Sequence, residues 1–146
     1  MVILLLLALL QATPGQTRPD PILTPGLTRE LSTRTVCTTR WGLDRRRVTI
    51  SMKQRVAAAY GVPWDQRSRY EFDHLVPRSL AGADDELNLW PQAWVGEYGA
   101  RKKDRLEVAL WRKVCAGEMT LAFAQEAVRS DWIAAYRLHV QPLGNK

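Results

Sequence analysis

Asp73 and His74 stand side by side in the middle of the chain, and His74 is one of only two histidines in 146 residues. A carboxylate offers hard oxygen to a divalent cation, and histidine is the side chain that ordinarily titrates near neutrality. An acid–histidine pair is therefore where a metal ligand and a general base would be wanted. Further on, the compact run Asn88-Leu89-Trp90-Pro91 follows a loop rich in turn residues, among them Pro77, Gly82, Asp84 and Asp85. Tyr70, Phe72, His74 and Val76 alternate with Glu71, Asp73 and Leu75, which predicts a short strand ending at Pro77. In a regular strand Asp73 and His74 would leave opposite faces. They can serve one site only if the strand breaks or bulges there.

The run Asp73-His74-Leu75-Val76-Pro77, a glycine-containing loop and then Asn88-Leu89-Trp90-Pro91 resembles the HNH endonuclease family, above all its small secreted bacterial members. Lys103-Asp104-Arg105-Leu106-Glu107, Val114-Cys115-Ala116-Gly117 and Asp131-Trp132 continue the likeness, with Cys37…Trp41-Gly42 as a looser echo upstream. It covers about Val36 to Tyr136. The resemblance implies an α+β fold: a small single domain at 36–140, with a ββα-metal finger embedded in a mainly helical frame and two C-terminal helices. It also implies metal-dependent hydrolysis of nucleic-acid phosphodiester bonds, DNA foremost. In that scheme His74 is the general base, Asp73 binds Mg²⁺ or Mn²⁺, and Asn88 ties down the loop and so aims the histidine.

The chain departs from the family in three places. The third signature residue, an Asn or His from the following helix, has no counterpart between Glu97 and Asp104; either of those two acids could supply an oxygen, and Asp104 could equally be an intrahelical ion-pair partner. Arg78-Ser79 follows Pro77, and Ala81-Gly82 stands where two glycines are usual. The departure at the metal keeps a second reading open, a catalytically inactive module that binds nucleic acid or a partner protein. A third reading, a purely structural envelope protein, predicts no salt-dependent DNA binding.

The chain is basic, with net charge +6 and a pI near 9.7. The segment from Arg29 to Arg78 holds eleven basic and five acidic residues, which accounts for all of the excess. Such a half suits an anionic partner, nucleic acid first, and Arg45, Arg46, Arg47 and Arg78 are its candidate phosphate contacts; a solubilising surface is the alternative. No internal repeat, phosphate-cradling glycine loop or HExxH motif occurs.

Met1 to Leu10 is unbroken apolar sequence, too short to span a bilayer and suited to the core of a leader. Residues 1–15 read as a signal peptide or, since no basic residue precedes the run, an N-terminal membrane anchor. Export to the periplasm or medium follows, with no stable span in the mature form. Cys37 and Cys115 fit one disulfide in an exported protein, or else two buried free thiols. A bridge over so long a loop is worth about 4–5 kcal/mol on chain entropy.

The remaining elements must position these groups. Residues 16–35, rich in Pro and Gly, read as an extended linker with no core of its own. Thr33 to Ile50 reads as short strands or an irregular basic loop. Ser51 to Tyr60 reads as a helix with Ser51 as its cap and Gly61 and Pro63 beyond its end. Gln92 to Gly99 reads as a loop. Leu106, Leu110 and Val114 mark a helix over Ala100 to Cys115, stopped by Gly117. Thr120 caps a second one, striped by Leu121, Val128, Trp132 and Tyr136, with His139 on the surface near its end.

Overall fold

The computed structural model describes residues 17–141; the leader expected at 1–15 lies outside them. Within them the chain folds as a small α+β domain, two antiparallel strands among helices. No helix among the described residues is long and apolar enough to cross a membrane.

The three helices with clear stripes and caps form close to where their sequences put them. Helix α2 spans Ile50–Ala59 and buries Val56 and Ala57. Its cap is Thr49 rather than Ser51: the Thr49 side chain accepts from Met52 N, and Ser51 Oγ only joins it at 3.0 Å. Helix α3 spans Ala100–Cys115 and buries Leu106, Leu110 and Val114, its chain turning at Gly117 with φ +75°. Helix α4 spans Leu121–His139 behind the Thr120 cap. It bends at Asp131 (φ −161°, ψ 92°), whose Oδ1 accepts from Ile133 N and Ala134 N and so caps the second half afresh.

Helix α1, Thr33–Thr38, replaces the strands or loop expected there. Threonines favour helices poorly, but one nearby indole and two contacts from distant sequence hold this turn. Val36 is fully buried, its carbonyl accepts from the indoles of Trp41 (2.7 Å) and Trp111 (3.1 Å), and Cys37 is disulfide-bonded to Cys115. The bridge fastens α1 to the C-terminus of α3 across a separation of 78 residues.

Strand β1, Tyr70–His74, pairs antiparallel with β2, Leu89–Ala93, in the register Asp73↔Trp90 and His74↔Leu89. β1 ends before the expected Pro77: Leu75 N still donates in register to Asn88 O, but Asn88 N turns to Asp85 O instead of returning the bond, and Val76 N and O are both taken by the Asn88 side chain. Helix α3 reaches β1 through Lys103 and adds Leu106 and Leu110 to the core that holds Phe72, Leu89 and Trp90 of the strands, and α4 contributes Val128, Trp132 and Tyr136 to the same core.

Residues 17–31 form no helix or extended strand, yet they are fastened across the loop between β1 and β2. Gly26 N donates to Leu87 O, Arg29 N to Ala81 O, and Ala83 N to Leu27 O, all within 3.0 Å. Thr24 is fully buried, its hydroxyl 2.9 Å from Leu89 O and 2.7 Å from the Tyr60 hydroxyl. The expected linker thus acts here as a strap over the loop.

Candidate active site

The loop from Leu75 to Asn88 carries the site, and Asn88 sets its shape. This side chain is fully buried and uses its whole amide: Oδ1 accepts from Val76 N, while Nδ2 donates to Val76 O and Ala83 O, all at 2.9–3.0 Å. An Asn does this where Asp could not, because one end must accept and the other donate. Gly82 lets the chain pass: a Cβ there would lie 1.8 Å from Val76 O. Ala81 before it takes φ +65°, a left-handed conformation that costs a non-glycine residue roughly 1–2 kcal/mol.

His74 is buried, 4% exposed, with both ring nitrogens engaged. Nε2 lies 2.8 Å from Asp84 Oδ1, and Nδ1 lies 3.4 Å from Arg46 Nη2. An ionised carboxylate can only accept and a guanidinium can only donate, so the two contacts agree on one tautomer: the proton sits on Nε2 and the lone pair on Nδ1. Burial lowers the imidazole pKa to about 4; Asp73 and Asp84 oppose that shift and Arg46 adds to it. Asp84 is held below the usual carboxylate range: burial raises its pKa, but the Arg47 amide at 2.7 Å, His74 and Arg78 together outweigh it. His74 is thus a neutral base, oriented by a carboxylate on one side and open to a guanidinium on the other.

Asp73 is elsewhere. The ladder runs without a bulge through both residues, so the bulge needed to bring them together is absent and their side chains leave opposite faces of the sheet. Asp73 meets Lys103 of α3, whose fully buried ammonium lies 2.7 Å from Asp73 Oδ2, 2.6 Å from Glu107 Oε1 and 2.5 Å from His74 O. Burial alone would strip the lysine of its proton, but Asp73 and Glu107 outweigh it and raise the pKa above the ordinary lysine value. Burial in turn raises the Glu107 and Asp104 carboxyls.

This arrangement is a poor fit to the Mg²⁺ or Mn²⁺ expected at Asp73. The carboxylate that should bind the metal is already neutralised by a permanent organic cation. Among the described residues, no three His, Cys, Asp or Glu side chains are grouped to hold an ion. Glu97, one candidate for the missing oxygen, is exposed at the tip of the turn after β2. Asp104 lies near enough to Asp73 for that like charge to add to burial in raising its carboxyl.

The arginine loop, residues 39–49, is irregular and lies beside His74. Arg45, Arg46 and Arg47 are exposed, but Arg78 is not the free phosphate contact expected of it. Its guanidinium pairs with Asp44 and donates to Arg45 O at 3.1 Å, with Nε 3.2 Å from Asp84 Oδ1. Arg78 and Asp84 therefore pin the backbone of the loop, while Arg45 and Arg47 stay exposed and Arg46 turns its guanidinium to Phe72 O and His74 Nδ1, each at 3.4 Å.

No family model, curated protein or solved structure matches the chain. The site therefore stands on its own geometry. That geometry unites His74 and Asn88 with Arg46, and it separates Asp73 from them. Asp84 and Lys103 are the two site residues that the sequence left unassigned. In sequence Asp84 is one more turn residue, and Lys103 is only part of the helix that continues the family likeness; only the fold brings them to His74 and Asp73.

Proposed function

We propose that the chain is an HNH-like phosphodiesterase acting on nucleic acid, its β1–loop–β2–α3 unit serving as the ββα finger of that family. One observation carries this reading: the imidazole of His74 is fixed by Asp84 through Nε2, so that its basic Nδ1 faces the guanidinium of Arg46 at 3.4 Å. A phosphate bound by Arg46 would bring its scissile bond to the base. Such a phosphate also offsets the guanidinium charge that helps depress the imidazole, moving Nδ1 toward the neutral range where general bases work best. His74 then takes the proton from the attacking water as its oxygen bonds to phosphorus and the ester P–O bond breaks. Asp84 stabilises the imidazolium that forms, Arg46 carries the charge on the phosphoryl oxygens, and the leaving oxygen takes its proton from solvent. Positioned proton transfer of this kind contributes typically ~10²–10⁴-fold in rate.

The test is incubation of the exported, oxidised protein with plasmid and with single-stranded DNA, alongside His74→Ala. Cleavage by the parent and loss of it in the variant, with binding kept, supports the reading. A variant that cuts as fast as the parent overturns it. Parallel incubations with Mg²⁺, Mn²⁺ or EDTA ask whether the divalent cation implied by the family resemblance is needed.

A second reading, a module that binds nucleic acid or a partner without cutting, is favoured by the Lys103 ammonium on Asp73. It predicts salt-dependent binding with no cleavage in any of these buffers.

A further inference from the structure

Next to His74, along the free edge of β1, a groove of about 520 Å³ opens between α2, the turn at 64–69 and the segment after β2. That size falls within the range of small-ligand sites. Its walls combine two kinds of group seldom placed together by chance. Arg46, Lys53 and Arg67 supply positive charge, and Trp64 and Trp94 supply flat aromatic surface.

The two tryptophans differ. Trp64 packs against Phe72 with ring centres 5.9 Å apart and has the Arg67 guanidinium 5.0 Å from its own centre. Arg67 is thereby carried on an aromatic ring as a cationic surface, of the kind on which unstacked bases rest. Trp94, beyond the end of β2, has no such cover and is 44% exposed. Glu71 lines the same groove, and its Oε2 is buried with no hydrogen-bond donor. A buried acceptor without a donor loses the bond that water would have made. A base edge carrying N–H groups would restore it. Arg46 belongs both to this groove and to the His74 contact, so the two are one continuous surface.

We propose that this groove receives an unpaired nucleobase, stacked on Trp94 and presenting its amino edge to Glu71, so that the preferred substrate is single-stranded nucleic acid. The inference rests on the nucleic-acid reading above and narrows its substrate. Each part has its own role. Arg46 holds the phosphate at the junction with His74, Lys53 and Arg67 follow the backbone, and the aromatic surface takes a base of any kind. Glu71 adds a preference, since a carboxylate accepts freely from the projecting cytosine amino group, whereas thymine offers only its N3–H, recessed between two carbonyl oxygens that repel the carboxylate.

The experiment is fluorescence anisotropy at pH 8, where the Glu71 carboxyl is ionised, with labelled 12-mers of dC, of dT and of a mixed-sequence duplex. The parent, Trp94→Ala, Glu71→Gln and the triple replacement of Arg45, Arg46 and Arg47 by Ala are compared. Trp94 lies on the surface outside the core, so its loss leaves the fold in place, and circular dichroism checks this. We expect the parent to bind the dC strand more tightly than the duplex. Trp94→Ala should weaken single-strand binding by about tenfold, a middling loss for one base–aromatic stack, and leave the duplex unchanged. Glu71→Gln should erase the preference for dC over dT. If Trp94→Ala binds the single strand like the parent, or if the parent prefers duplex, the groove is not a base site. The nucleic-acid reading then still stands, provided the triple arginine variant loses binding. If no variant or parent binds any of the three at low salt, the broader reading fails and this inference with it.

Discussion

On the reading proposed above, the chemistry at His74 depends on a hydrogen bond that fixes which nitrogen carries the proton. Replacing Asp84 by Asn keeps the size of the side chain but offers Nε2 an amide that can present either end. The imidazole is then free to take the other tautomer and turn its N–H toward Arg46. We expect D84N to lower kcat by at least tenfold with little change in KM, a pattern separable in steady-state kinetics on an oligonucleotide. Lys103 calls for a different measurement. Removing one partner of a buried ion pair leaves its partners uncompensated, typically at a cost of about 3–5 kcal/mol. K103M should lose stability of that order in urea denaturation, and a loss below 1 kcal/mol would show that Asp73 and Glu107 do not depend on it.

Titration gives these residues opposing effects on stability. The folded pKa of His74, about 4, lies below the ordinary 6.5, so the unfolded chain takes up the proton first and stability falls as pH drops from 6.5 toward 4. Burial, with Asp73 and Asp104 adding to it, raises Glu71 from 4.5 to about 7. Here the folded chain holds the extra proton, and stability falls as pH rises from 4.5 to 7. E71Q should show a shallower decline of Tm with rising pH over that second window than the parent, because Glu107 alone is then left against the opposing slope of His74. An unchanged slope in calorimetry would remove Glu71 from the account.

At the scale of elements, what the sequence reveals follows from how local the cause is. Helices α3 and α4 are legible because their apolar stripes and stops lie within their own residues: Leu106, Leu110 and Val114 before Gly117, and Val128, Trp132 and Tyr136 behind Thr120. Helix α1 is not, because its support comes from Trp111 and Cys115. The end of β1 is set by the Asn88 side chain rather than by Pro77, although Asn88 itself could be picked out by its spacing from His74. The partners of the two site residues are illegible for the same reason as α1. Asp84 reaches His74 across 10 residues of loop, and Lys103 reaches Asp73 across 30. Asn88→Ala would strip three hydrogen bonds from a buried loop and leave Val76 N without an acceptor. We expect a loss of about 2–4 kcal/mol, since each orphaned buried group costs roughly 1–3 kcal/mol and part of the loop can relax. Cleavage should fall with it, because the loop also presents Asp84 to His74.

Over the whole molecule, the exposed Arg45, Arg46 and Arg47 stand on a loop tethered by Asp84 and Arg78, and Arg46 joins that loop to the groove that also holds Lys53 and Arg67. Binding to duplex DNA should therefore be weak, independent of sequence and steep in salt. Replacing Arg45, Arg46 and Arg47 together should reduce the slope of log K against log salt by about 2–3, near one for each phosphate no longer neutralised. An unaltered slope would make this face an ordinary solvated surface.

The Cys37–Cys115 bond joins residues on either side of the turn after β2, where Val95 is 82% exposed and Gly96 takes φ +113°. Exposed turns of this kind are where proteases cut first. A cut there divides the polypeptide into two pieces, yet the bridge still ties them together, and β1 still pairs with β2 within the first piece. We expect a singly nicked molecule to migrate at full mass without reductant and as two bands with it, keeping its fold in the first case. Proteolytic damage at this turn would stay hidden for as long as the surroundings remain oxidising.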